Sequence, residues 1–186
     1  MDLAQGLIIV TTVHLLAAAA PGPDFILVSQ QTLSNGKRAG LLCSLGIALG
    51  LSVHILYSSL GLAALIANSS SALWSIKLLG GCYLIYLGIS GLRARAGNHQ
   101  TEQLTTATES SALKTIGLGF LCNALNPKAP IYFVSLFTIV LSQDTPAQHL
   151  LIYGLWMMVL QLAWFSFLTL LLSRPLVTSK FQRMGH

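Results

Sequence analysis

The sequence is poor in charged residues. Asp, Glu, Lys and Arg together make up 8% of its 186 residues, whereas a soluble domain typically carries about 25%. Apolar residues make up 54%, and the mean hydropathy is +0.71. Because so few charges cannot cover a surface that faces water, the exterior must face lipid. This composition excludes a soluble enzyme, a disordered segment and a coiled coil.

Cysteine is also scarce, with three residues in the chain. Cys43, Cys82 and Cys122 each lie in an apolar stretch without a Cys or His at ligand spacing, so we expect neither a disulfide framework nor a metal site. All three are read as small packing residues. Phosphate loops and Ser-His-Asp sets are missing too, so no cofactor is predicted. Basic residues form no runs interleaved with aromatics, and no nucleic-acid partner is expected.

Five apolar runs are present, and they predict five helical membrane spans. Helices are the open-chain structures that satisfy their own backbone polar groups in hydrocarbon. The first run is kept as a span rather than a signal peptide, because Asp2 is its only early charge and a signal peptide begins with a basic region. The predicted spans cover residues 3–33, 41–66, 73–92, 113–141 and 150–172.

The distribution of polar residues predicts the domain organisation. One membrane domain covers residues 1–186, and a long polar stretch at 93–112 forms a cytoplasmic linker between a first repeat of three spans (1–92) and a second repeat of two (113–173). A basic tail follows at 174–186. After three spans the second repeat enters the membrane in the opposite sense, so the predicted fold is all-α, an inverted repeat of three spans with the last span missing.

The basic residues in the connections predict the orientation. With the N-terminus outside and the C-terminus in the cytoplasm, eight of them face the cytoplasm and one, Lys77, faces outward, as the positive-inside rule expects. The eight are Lys37, Arg38, Arg93, Arg95, Lys114, Arg174, Lys180 and Arg183.

Two of the spans are interrupted in a similar way, at residues 21–24 and 126–130. A proline in a helix interior costs about 3 kcal/mol, so these segments should open the helices rather than bend them. In inverted-repeat transporters, interrupted helices meet near the middle of the membrane. The predicted helix-breaking residues are Pro21, Pro23 and Pro127.

Each break carries one charge, Asp24 in the first and Lys128 in the second. A charge at a span centre costs about 2.5–3.5 kcal/mol, so we expect both to face one cavity and to pair or be held by opened backbone. Two alternatives stay open: Asp24 caps a half-helix at the membrane interface, and Lys128 extends to a headgroup. Opposite charges beside opened helix ends suit a small zwitterion such as an amino acid. The predicted substrate-binding residues are Asp24, Lys128, Asn126 and Gly22.

Other polar residues within the spans are candidates for supporting roles. His14 and His54 are candidate proton relays, although each could instead make a single interhelical hydrogen bond. Gln161 could equally form a hydrogen bond between helices or contact the substrate. Gly46 and Gly50 predict close helix packing, either within the chain or in a homo-oligomer.

Three motifs together resemble the LysE/RhtB family. They are Pro21-Gly22-Pro23-Asp24, the stretch at 79–88 before Arg93, and Asn126-Pro127-Lys128. Members of that family are bacterial inner-membrane exporters of amino acids and related metabolites, including threonine, homoserine and lysine. The resemblance implies proton-coupled export, with the two broken helices as the functional core.

The predicted function is export of a small amino acid from the cytoplasm by alternating access across the inner membrane. The expected partners are this substrate, the lipid bilayer and, as a candidate, further copies of the chain. Two alternatives come from the missing sixth span: a structural or accessory membrane subunit, and an inactive truncated exporter. An intramembrane enzyme is not predicted, because Asp24 is the only acid in a span and cannot form a carboxylate dyad.

Overall fold

A computed structural model describes most of the membrane region, and every regular element in the described ranges is a helix. The described residues are 2–68, 78, 82, 85, 89, 111–126, 128, 129, 132, 133, 135, 136 and 146–174. The predicted all-α class is confirmed. Pro127, most of the predicted third span and linker, and the tail after Arg174 lie outside the described residues. The helices are α1 (Leu3–Ala19), α2 (Pro23–Asn68), α3 (Ala112–Ala124) and α4 (Ala147–Leu172).

The ends of α1 follow from local chemistry. At its start, the Asp2 side chain accepts a hydrogen bond from the Gln5 backbone at 2.8 Å, and the Gln5 side chain accepts one from the Asp2 backbone at 3.4 Å. This reciprocal pair satisfies two helix-terminal donors. At its end, Ala20 is extended, with φ −67° and ψ 126°. A residue before a proline favours this conformation, so Pro21 ends the helix.

Helix α2 is a hairpin of two helical arms. The predicted connection at 34–40 is helical except at Gly36, whose φ of 83° and ψ of 175° fall in a region that favours glycine. Residues 23–35 and 37–68 fold back on each other there, so that Leu27 and Val28 pack with Cys43 and Ile47 in one core cluster. A single glycine therefore makes the reversal that we expected from a longer loop.

Helix α3 crosses α2 at very close range. A Cβ added at Gly46 would collide with the Ile116 carbonyl, and one at Gly50 would lie 2.6 Å from the Phe120 carbonyl. The contact is reciprocal, since a Cβ at Gly119 would collide with the Cys43 carbonyl. The glycines therefore pack within one chain, and they give no support to a homo-oligomer.

The molecule exposes large apolar side chains and buries several polar ones within its apolar core. Large apolar side chains are strongly exposed, as shown by Ile8 at 68%, Leu151 at 64% and Ile85 at 65%. Asp24 and His14 are instead buried. Among the described residues, two segments, Pro23–Ser59 and Gln148–Leu172, are long and apolar enough to cross a membrane. So many exposed large apolar side chains are unusual for a soluble protein and fit a helical membrane protein.

Helix α4 joins the two halves of the chain, since it packs against both α1 and α2. One core cluster brings Val10 of α1 and Leu51 of α2 to Tyr153 and Met157 of α4, together with Phe133. Helix α4 begins three residues before the predicted span at 150–172 and ends at the same residue. The break between α1 and α2 lies beside this packed centre.

Candidate functional site

The end of α1 is held by a charge from the second half of the chain. The Lys128 ammonium donates hydrogen bonds to the carbonyl oxygens of Ala17, at 3.1 Å, and Ala20, at 3.3 Å. These carbonyls belong to the last turn of α1 and the residue after it, where the helix dipole presents partial negative charge. Opened backbone thus holds Lys128, which is one of the two arrangements expected from the sequence.

Asp24 lies in the first turn of α2 and is buried. Its Oδ2 accepts a hydrogen bond from the Asn123 side-chain amide at 2.7 Å, and its Oδ1 accepts a weaker one from the Cys122 thiol at 3.5 Å. The N-terminus of α2 also favours a negative charge at this position. Asp24 is therefore held by the end of α3 and is not an exposed interfacial cap.

The two broken helices hold each other reciprocally. Asp24 opens the helical segment after the first break and contacts Asn123 at the end of α3. Lys128 follows the second break and contacts Ala17 at the end of α1. Each charge thus meets the first half of the other broken helix.

Asn126 organises the second break. Its side-chain oxygen accepts the Lys128 backbone N–H at 3.0 Å, and its carbonyl accepts the Ala129 N–H at 3.1 Å. This is how an asparagine caps a new helical turn. Helical residues resume at Lys128. The backbone direction of Lys128 therefore depends on Asn126.

The first break consists of Pro21 and Gly22, which are both non-helical. Pro23 is the first residue of α2, a position where its fixed φ and missing N–H suit a helix start. A Cβ added at Gly22 would lie 4.0 Å from the Lys128 ammonium nitrogen, which is ordinary contact. Gly22 thus adjoins the charged group without being sterically required there.

All four predicted binding residues line one cavity. It has a volume of about 50 Å³, which is more than a single water requires. Apolar side chains, including Phe25, Leu51, Phe133 and Phe165, form part of its wall. The polar lining comprises Asp24, Lys128, Asn126, Asn123, His14, Tyr132 and Gln161.

One wall of this cavity has polar atoms without partners. His14 Nδ1 lies 3.0 Å from the Tyr132 hydroxyl. His14 Nε2, Gln161 Oε1 and Asn123 Oδ1 make no well-formed hydrogen bond to a described residue, although the Gln161 side chain lies close enough to the His14 ring to interact with it. All three side chains are buried. Leaving such a group unsatisfied costs about 1–3 kcal/mol, so this wall is suited to a polar ligand.

His54 belongs to the surroundings of the cavity and is not among its described lining residues. Its Nε2 lies 2.8 Å from the Asn123 carbonyl and its Nδ1 lies 3.1 Å from the Tyr57 hydroxyl. The ring stacks on Phe133 with centroids 5.6 Å apart. His14 and His54, the two candidate proton relays, thus have different environments.

Tyr132 and Cys122 contribute to the site but were not predicted from the sequence. Tyr132, which contacts His14, follows Lys128 by four positions, the spacing that places two residues on one helix face. Cys122 was read as a packing residue, yet its thiol reaches Asp24. Only the helical spacing to Lys128 could have indicated Tyr132. In the ranges that the structure describes, no three Cys, His, Asp or Glu residues group as metal ligands.

Comparison with known proteins agrees with this picture. The family model for LysE type translocators matches residues 15–185. The threonine efflux protein of Escherichia coli K12 is 31% identical over 184 residues, covering 95% of this chain and 86% of its own. An uncharacterized membrane protein of Haemophilus influenzae is 34% identical over 166 residues, covering 87% and 78%. Solved structures offer no significant match. The chain belongs to the LysE type translocator family, which places it among membrane translocators rather than enzymes.

Proposed function

We propose that this translocator exports a small amino acid from the cytoplasm by alternating access, in exchange for protons. The observation that carries the proposal is the position of Asp24 and Lys128. These opposite charges line one cavity, and each is held by the other half of the chain. Such an arrangement offers complementary ends to a zwitterion.

The charges suggest how an amino acid would bind. The substrate ammonium would lie at Asp24, and its carboxylate would draw the Lys128 ammonium. The carbonyls of Ala17 and Ala20, which Lys128 contacts, would then lose their ammonium partner. Substrate binding would therefore loosen the contact between the second break and α1, which is the kind of differential contact that a conformational change requires.

The unpartnered wall of the cavity supports a substrate with a hydroxyl group. A hydroxyl both donates and accepts, and it would face the Gln161 carbonyl oxygen and the His14 Nε2. The similarity to threonine efflux proteins supports the same class of substrate. The small cavity favours a compact ligand of this kind over a bulky one. We propose threonine as the first substrate to test.

Further parts of the proposal concern the membrane setting. The reciprocal contacts of Asp24 and Lys128 support the predicted inverted repeat. We propose a bacterial inner-membrane location with the N-terminus outside, as the basic residues in the connections predict. His14, buried beside Asp24's cavity, remains the candidate for carrying the coupled proton.

Transport by the purified chain in liposomes tests the proposal. With the interior made acidic, protons leaving through the exchanger should drive labelled threonine inward, and an ionophore that collapses the gradient should abolish this uptake. Asp24→Asn and Lys128→Met should each reduce it at least tenfold, whereas Lys114→Met, at an exposed site on α3, should stay within twofold of wild type. Uptake no greater than in empty liposomes would overturn the proposal for threonine, and uptake indifferent to the gradient would overturn proton exchange.

A further inference from the structure

The environment of His54 defines a role that differs from proton transfer. The ring is 1% exposed and stacks on Phe133 at an interplanar angle of 21°. Its Nε2 lies 2.8 Å from the Asn123 carbonyl. A carbonyl oxygen can only accept, so Nε2 must carry the hydrogen. In the neutral ring Nδ1 then accepts from the Tyr57 hydroxyl, 3.1 Å away.

These hydrogen bonds do not form a path along which a proton can move. A relay has to release a proton from one ring nitrogen to a group that can take it. The group facing Nε2 is a backbone amide carbonyl, which is not basic enough to be protonated in the physiological range. The chain of exchangeable groups from Tyr57 therefore stops at Asn123.

The same contact places Asn123 where Asp24 needs it. The Asn123 carbonyl belongs to the last turn of α3, and its side-chain amide donates to Asp24 at 2.7 Å. The Asn123 carbonyl also accepts the Asn126 backbone N–H at 3.0 Å. The His54 N–H from α2 uses the second lone pair of this oxygen and anchors the end of the helix to α2. His54 thus fixes the backbone of the residue whose side chain holds the carboxylate.

We propose that His54 is a positioning residue, which sets the geometry of Asp24 by holding the Asn123 carbonyl. The inference goes beyond the proposed transport function. Of the experiments below, only the uptake measurement rests on that function. Two polar variants distinguish a positioning role from a proton-relay role, because neither replacement side chain can carry a proton. His54→Gln can place an N–H near the position of Nε2, whereas the shorter side chain of His54→Asn reaches only the position of Nδ1.

Infrared spectra provide a readout that does not depend on transport. The carboxyl band of Asp24, assigned by its loss in Asp24→Asn, should shift in His54→Asn in the same direction as in Asn123→Ala. It should stay near its wild-type position in His54→Gln. Nitrogen NMR of histidine-labelled protein should show the His54 hydrogen on Nε2. An unshifted band in His54→Asn, or a hydrogen on Nδ1, would overturn the proposal even if the chain carries no threonine.

Transport then distinguishes positioning from relay. His54→Gln should keep at least half of the gradient-driven uptake, and His54→Asn should lose about tenfold. Equal loss in both variants, with an unshifted carboxyl band in His54→Gln, would show that proton transfer through His54 is required and would overturn the proposal. His149, half-buried at the start of α4 beside Tyr153, is the matched control, since His149→Asn should leave both the band and the uptake unchanged.

Discussion

The Asn123 side-chain amide lies 2.7 Å from the Asp24 carboxylate, although 99 residues separate the two in sequence. The contact joins the end of α3 to the start of α2, and therefore the two predicted repeats. A hydrogen bond to a carboxylate contributes about 1.5–3 kcal/mol. The buried acid is thus stabilised by a partner that only the folded chain brings near.

This contact should appear as a coupling energy in unfolding experiments. Asn123→Ala and Asp24→Ala, singly and combined, should give a double-mutant cycle with an interaction of about 1.5 kcal/mol or more. Denaturant titration of the purified protein in micelles measures the free energy of unfolding. Additive effects of the two substitutions would contradict a direct bond between the side chains.

The Lys128 contact predicts a local effect on α1. In Lys128→Met the carbonyls of Ala17 and Ala20 lose their ammonium partner, so the end of α1 should open more easily. Amide hydrogen exchange in the segment 18–22 should become about tenfold faster, equivalent to about 1.4 kcal/mol. Lys114→Met should leave that segment unchanged. Equal exchange in Lys128→Met and wild type would mean that the lysine does not secure the helix end.

The glycine crossing predicts opposite effects for two substitutions of the same kind. Gly46→Ala places a methyl group against the Ile116 carbonyl of α3, so the unfolding midpoint should fall and the fraction of monodisperse protein should decrease. Gly117→Ala meets nothing within 4 Å and should stabilise the helix by up to about 1 kcal/mol. If Gly46→Ala and Gly117→Ala have the same unfolding midpoint, α3 does not pack closely against Gly46 of α2.

The unpartnered wall predicts a change in selectivity. Gln161→Leu removes the carbonyl oxygen proposed to face the substrate hydroxyl, so the ratio of threonine to valine transport should fall about tenfold. Valine is the matched substrate because a methyl group replaces the hydroxyl. Gln148→Leu, on an exposed face of α4, serves as the control. A proportional loss of both substrates in Gln161→Leu would instead assign Gln161 to helix packing.

Two neighbouring threonines test the contact between α1 and α4. Both hydroxyls donate to a carbonyl one turn earlier in α1, Thr11 to Leu7 at 2.7 Å and Thr12 to Ile8 at 2.9 Å. The Thr11 hydroxyl also accepts a hydrogen bond from the Trp156 indole of α4 at 2.8 Å. Thr11→Val should lower stability by about 0.6 kcal/mol, the average for such bonds in membranes. Thr12→Val should have a smaller effect. A thermal melt followed by tryptophan fluorescence compares the two.

Local features of the structure were predictable from the sequence. Pro21 and Pro23 indicated the break between α1 and α2, because proline sterics act within a few residues. The limits of α4 followed from its apolar run. The hairpin at Gly36 was predicted as a longer connection, because the sequence does not show that one residue with positive φ suffices when the two arms pack directly together.

The sequence by itself determined that this protein is a helical membrane protein with two broken helices, one acidic and one basic at the break. Composition and short-range sterics are sufficient for those properties. Only the tertiary structure decided which groups hold the charges: Asn123 for Asp24, the end of α1 for Lys128, and His54 for the Asn123 backbone. Those contacts join residues that are about 70–110 positions apart, and their geometry depends on how the helices pack rather than on any local pattern.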